Sequence, residues 1–182
     1  MSAHWRISSI SGALIAAYFI PTWTMVAFKI VVSPIHGLYE RPNISVALFI
    51  SDHLQLAGMA TVRMAWLLAL GRLTVVAFFA IFLVFLTRAA LRKGGGAGEA
   101  LAMALAIGSV ISFASMLMAS QVGETAALRL HATELLMLLG TAIVLLAEPP
   151  VQAEAGRSAA ETDHSVMAEG LPLQQPQLLD NR

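Results

Sequence analysis

Residues 64–87 read MAWLLALGRLTVVAFFAIFLVFLT, and this stretch decides the fold class of the chain. A helix that crosses roughly 30 Å of hydrocarbon needs about 20 predominantly apolar residues. The stretch meets that length, and Arg72 is its single charged residue. It therefore predicts a helix that spans a membrane.

Three further segments are long and apolar. Residues 7–28 and 100–123 contain no charged side chain. Residues 126–147 hold Arg129, His131 and Glu134 in their first half, and Pro149 and Pro150 follow as a stop signal. The sequence thus predicts an all-α integral membrane protein with four transmembrane helices.

The composition supports this class, because 58% of the residues are hydrophobic and 12% are charged, with a mean hydropathy of +0.75. Soluble domains carry roughly a quarter charged residues. The length suits one domain, which we place at residues 1–148. Residues 149–182 are rich in Pro, Gln, Ser and acidic residues, and they predict a disordered cytoplasmic tail.

The connection between the first two helices is too long for a turn and too apolar for a solvated loop. Within residues 44–59, helical periodicity places Val46, Phe49, Ile50, His53 and Ala57 on one face, with Ser45, Asp52 and Gln55 opposite. The pattern predicts a short helix in the membrane interface. The alternative is an extension of the second helix that packs on the bundle.

Orientation follows from basic residues near the helix ends. Arg88, Arg92 and Lys93 lie just after the second helix and predict a cytoplasmic loop. Both termini would then also be cytoplasmic, and we expect a bacterial inner membrane. Basic residues predicted on the opposite side weaken the asymmetry: Lys29, Arg41, Arg63 and Arg129.

The third helix carries a stripe of small residues at steps of four, which includes Ala104, Gly108 and Ser112. Small side chains let a second backbone come close, and such packing is a main source of helix association in lipid. The stripe predicts tight packing, and we expect the chain to pack against another membrane protein through it. The alternative is a hydrophilic path past this helix.

Arg72 and Glu134 are the intramembrane charges on which a functional hypothesis naturally rests. Each lies eight residues into its predicted helix, about 12 Å from the same membrane face. Equal depth and opposite sign predict an ion pair inside the bundle. Separate snorkelling of each side chain to the interface is the alternative.

His131 lies one turn before Glu134, so that the carboxylate can fix its tautomer or share its proton. Arg72, His131 and Glu134 thus form a predicted polar cluster. A proton relay could use it, or His131 and His53 could bind a metal or haem b. A haem anchor would usually show histidines deep in several helices, which this chain lacks, so we predict no cofactor.

The sequence contains no motif for catalysis, and its lack of cysteine excludes thiolate chemistry and disulfides. We therefore predict a non-catalytic subunit, assembly factor or scaffold of a membrane complex. The alternatives are a small proton-coupled transporter that uses the Arg72, His131 and Glu134 cluster, and a haem-binding redox anchor. The expected partners are the lipid bilayer and another membrane protein or a second copy, with no nucleic acid.

Overall fold

A computed structural model describes residues 7–88 and 96–148 of the chain. The described part is almost wholly helical and contains no β-strand. The predicted disordered tail at 149–182 and the basic residues Arg92 and Lys93 lie outside the described residues. The helices are α1 (Ile7–Val32), α2 (Pro34–Leu38), α3 (Ile44–Phe49), a π-helical turn (Ile50–Leu54), α4 (Gly58–Thr87), α5 (Gly96–Val122) and α6 (Thr125–Ala147).

Among the described residues, four helices are long and apolar enough to cross a membrane: α1, α4, α5 and α6. They contain 26, 30, 27 and 23 residues, with mean hydropathies between 1.7 and 2.5. In lipid a backbone must satisfy its own hydrogen bonds, which continuous helices do. The chain is thus a multi-pass membrane protein, and the predicted fold class is confirmed. The second span begins at Gly58, earlier than the predicted residue 64.

The four long helices form a ring in which each packs against two others. Helices α1 and α5 each lie between α4 and α6. Buried positions recur at alternating steps of three and four residues, as in α6 with Ala127, His131, Glu134, Leu138 and Thr141. This spacing is typical of helices packed at a shallow crossing angle, with interdigitating side chains.

The bundle has two distinct ends. We call the end at Ile7, Thr87, Gly96 and Ala147 the loop end, and the opposite end, which carries α2 and α3, the capped end. At the loop end the Glu148 carboxylate accepts hydrogen bonds from the Ser8 backbone N–H at 2.8 Å and from the Ser8 hydroxyl at 2.5 Å. An acceptor there satisfies a free N–H of the first helical turn, and it ties α1 to the end of α6.

The connection between α1 and α4 folds onto the capped end of the bundle. Helix α3 packs against α5, and its Ser45, Val46 and Ala47 are buried. The left-handed backbone of Gln55 (φ 45°) follows the helical segment, which therefore ends at Leu54 rather than at residue 59.

The predicted faces of this segment are partly wrong. Ser45, expected on the polar face, is buried against the bundle, whereas His53, expected on the apolar face, is exposed. The reason is that α3 packs on α5, so contact with the bundle rather than with lipid selects which side is covered.

Candidate functional site

Four helices contribute buried polar side chains at one depth, and we call this group the polar layer: Trp23 of α1, Arg72 of α4, Ser112 of α5, and His131 and Glu134 of α6. The relative exposure of these residues runs from 0% for Ser112 to 6% for Glu134. Burial of charge in a protein interior is costly unless the groups are paired or hydrogen-bonded. The contacts of each member therefore determine what the layer can do.

Glu134 is the centre of the hydrogen bonding in the polar layer. Its Oε1 accepts a hydrogen bond from Nε1–H of Trp23 at 3.0 Å. Its Oε2 lies 2.9 Å from Nδ1 of His131, one turn earlier on the same helix. The sequence predicted the proximity of His131 and Glu134 from their helical spacing, but it treated Trp23 as an anchor of the first helix and gave it no place in the polar cluster. The available signal was that a buried Trp usually finds an acceptor for its N–H.

Arg72 contacts the other side of the same tryptophan. Its guanidinium carbon lies 5.5 Å from the Trp23 ring centroid, within the range of a cation–π interaction. Within the described residues no carboxylate oxygen lies within 4.0 Å of an Arg72 nitrogen, and Arg72 donates no hydrogen bond. The structure thus joins Arg72 to Glu134 through the Trp23 indole instead of by the predicted direct ion pair.

The members of the polar layer lie at different distances from the ends of their own helices. Arg72 is near the middle of α4, about 20 Å from either end of that helix at 1.5 Å per residue. The sequence predicted about 12 Å from the helix start for both Arg72 and Glu134. Glu134 lies about 14 Å from the start of α6, whereas Arg72 lies further from the start of α4 because that helix begins at Gly58 instead of residue 64. Snorkelling of Arg72 is not what the structure shows, since its side chain is buried inside the ring of helices.

The small-residue stripe brings α5 into the layer. A Cβ built on Gly108 would lie 3.3 Å from Leu138 and 3.6 Å from Val75, so α5 approaches both neighbours closely at this point. One turn nearer the capped end, the same three helices present Ser112, Arg72 and Glu134. Ala104 and Ser112 are fully buried, so the stripe packs against helices of the same chain and not, as predicted, against another membrane protein.

Three buried atoms of the polar layer have no hydrogen-bond partner: Arg72 Nε, Ser112 Oγ and His131 Nε2. Buried polar atoms are usually paired, and the described residues hold two further unpaired ones, Asn43 Oδ1 and Ser45 Oγ, at the capped end. Chemically, His131 can exchange a proton with Glu134 through Nδ1, and its Nε2 remains able to donate or accept.

His53 is not part of this group. It stacks on Phe49 at 4.8 Å between ring centroids, in the exposed segment at the capped end. Neither a hydrogen bond nor a ring contact joins it to His131 among the described residues. Within those residues, no group of three or more metal-ligating side chains comes together.

The fold and the polar layer define a class, namely a four-helix integral membrane protein whose core holds ionisable side chains. Comparisons with protein-family models, with curated proteins and with solved structures found no match for the chain.

Proposed function

We propose that this protein is a non-catalytic subunit, assembly factor or scaffold of a membrane complex, in a bacterial inner membrane with both termini cytoplasmic. The observation that supports this role is the enclosure of the polar layer by the chain's own helices. Glu134 is hydrogen-bonded to both His131 and Trp23, and each of the three is at most 6% exposed. The hydrogen bond between Trp23 and Glu134 joins α1 to α6, which supports a structural role for the enclosed groups.

The surface left for a partner consists of the outward faces of the long helices. Large apolar side chains are exposed there, as on α4 with Trp66, Leu67 and Leu70 at 54%, 60% and 61%. Such faces suit lipid, and they suit the apolar helices of another membrane protein or of a second copy. The small-residue stripe does not serve this contact in the proposal, since it is buried within the bundle.

The test is purification of the tagged, full-length protein in a mild detergent, with co-eluting proteins and the visible spectrum read from one sample. The proposal expects a colourless protein that elutes with one partner in a fixed ratio. A protein that elutes alone from several mild detergents and after chemical cross-linking in the membrane would contradict it. A Soret band that His131→Ala abolishes would instead support the haem-binding alternative.

A proton-coupled carrier is the second candidate, and the 2.9 Å contact between His131 Nδ1 and Glu134 Oε2 favours it. A buried imidazole and carboxylate in contact can hold a proton between them, as intramembrane relays require. Its test is proton movement into proteoliposomes with candidate solutes added in turn. A carrier would show solute-dependent proton movement that Glu134→Gln abolishes and that the exposed-site variant Arg63→Gln keeps. Equal behaviour of the two variants would count against a carrier.

A further inference from the structure

A cleft of about 400 Å³ opens at the capped end, between the last turns of α1 and the loop after α2. Its walls are formed by Met25, Val26, Lys29, Glu40, Arg41 and Pro42. We call it the headgroup cleft. It lies at the end of α1 beyond Trp23, and it shares no lining residue with the polar layer.

Hydrogen bonds of the buried Asn43 hold the loop that carries Glu40 and Arg41. Asn43 is fully buried, and its side-chain N–H donates to the Gly37 carbonyl at 2.8 Å. Its backbone N–H donates to the Glu40 carbonyl, also at 2.8 Å. Helix α2 in turn approaches the α1 backbone so closely that a Cβ on Gly37 would lie 2.6 Å from Ile30 Cα. The rim of the cleft is therefore a fixed part of the fold.

The cleft lies where apolar surface gives way to charge. Met25 and Phe28 on α1 are 60% and 62% exposed, and Val32 at the helix end is 67% exposed. Lys29 lies among them, with half of its side chain exposed. A lysine in such a belt places its stem against apolar surface and its ammonium group at the level of the lipid headgroups.

The charges of the cleft match a phosphodiester. Lys29 Nζ lies 2.9 Å from Glu40 Oε2, so this cation is already balanced. Arg41 has no ion-pair partner within the described ranges, which leaves one net positive charge at the rim. Guanidinium groups bind phosphate oxygens through two parallel N–H donors. Met25 and Val26, one turn before Lys29 on α1, provide an apolar wall together with Pro42 of the loop.

We propose that the headgroup cleft binds an anionic glycerophospholipid, with the phosphate at Arg41, beside the ion pair of Lys29 and Glu40, and an acyl chain along Met25 and Val26. The cationic rim and the apolar wall line one cavity, so the phosphate and the acyl chain of one lipid each have a matching surface there. This inference is independent of the proposed function, because a subunit, a carrier or a redox anchor could each hold such a lipid.

The test uses the full-length protein in detergent, with phosphatidylglycerol added and phosphatidylcholine compared, and native mass spectrometry to count bound lipid. The double variant Lys29→Gln/Arg41→Gln removes the cations of the cleft. The matched control Arg63→Gln/Arg129→Gln removes the same charge from exposed sites at the same end. We expect binding of phosphatidylglycerol to be about tenfold or more weaker in the first variant and unchanged in the control.

Equal binding by the two double variants would overturn the proposal, as would equal retention of phosphatidylcholine and phosphatidylglycerol by the natural protein. Displacement of the lipid by millimolar inorganic phosphate would also overturn it, since the apolar wall would then contribute nothing. The single variant Arg41→Gln keeps the ion pair between Lys29 and Glu40. If the double variant does not fold, this single variant must show the loss of phosphatidylglycerol by itself.

Discussion

Trp23 contacts both charged side chains of the polar layer, and it does so with different parts of one indole. Its N–H edge donates to Glu134, and its ring face lies near the Arg72 guanidinium. A hydrogen bond to a charged acceptor contributes more than one between neutral groups, and the low dielectric of a bundle interior strengthens it. Trp23 is therefore the residue whose replacement tests whether the layer acts as a unit.

Replacement of Trp23 by Phe keeps an aromatic face for Arg72 but removes the donor to Glu134. We expect the free energy of unfolding to fall by about 1.5–3 kcal/mol. The measurement is reversible unfolding in mixed detergent micelles, compared with Trp66→Phe, whose indole is 54% exposed on α4. Equal stability of the two variants would mean that the Trp23 hydrogen bond contributes nothing.

Arg72 and Glu134 are expected to be coupled although no direct ion pair joins them. Arg72→Leu or Glu134→Leu alone leaves the opposite charge buried, and we expect each to cost about 3 kcal/mol or more. The double variant Arg72→Leu/Glu134→Leu removes both charges and should cost clearly less than the sum. Unfolding of the four proteins in a double-mutant cycle gives the coupling energy. Strict additivity would show that the two charges act independently.

At the scale of the elements, two helical glycines differ in how closely a neighbouring helix approaches them. A Cβ on Gly37 of α2 would meet Ile30 Cα at 2.6 Å and Ile30 N at 2.7 Å, and backbone atoms cannot rotate away. A Cβ on Gly140 of α6 would have no atom within 4 Å. The first glycine is required by packing, and the second is not.

Gly37→Ala should therefore displace α2 and the loop above it, at a cost of about 1–3 kcal/mol in unfolding free energy. Gly140→Ala should leave stability unchanged or raise it slightly, because alanine favours the helix. Melting temperatures of the two variants in one detergent make the comparison. A larger loss for Gly140→Ala than for Gly37→Ala would contradict the close approach of α2 to α1.

At the scale of the whole molecule, the order of the spans places the starts of α4 and α5 at opposite ends of the bundle. Gly58 begins α4 and Gly98 lies in the first turn of α5, and a side chain at either position would meet no atom within 4 Å. The natural sequence contains no cysteine, so a single introduced thiol reports one position. These features allow the predicted orientation to be measured directly.

With a cytoplasmic loop end, Gly58→Cys should react with a membrane-impermeant maleimide in intact cells. Gly98→Cys should react only after the membrane is opened. The reverse pattern would keep four spans but invert the predicted orientation. Reaction of both positions in intact cells would contradict the fold as a membrane-spanning bundle.

The sequence by itself determined the class, the number of spans and one contact of the site. Apolar length predicts a spanning helix regardless of its neighbours, and a separation of three residues on a helix brings His131 next to Glu134. These are properties of one segment. They need no knowledge of how segments meet.

Only the tertiary structure decided which side chains meet across the bundle. Rotation of α1 relative to α4 and α6 determined that Trp23 separates Arg72 from Glu134, and packing of α3 on α5 determined that Ser45 is covered. Such contacts depend on helix rotation and register, which amphipathic pattern hardly specifies when almost every position is apolar. In lipid the outward and inward faces of a helix are similarly apolar, so hydropathy does not identify the buried face. Packing between the helices determines it.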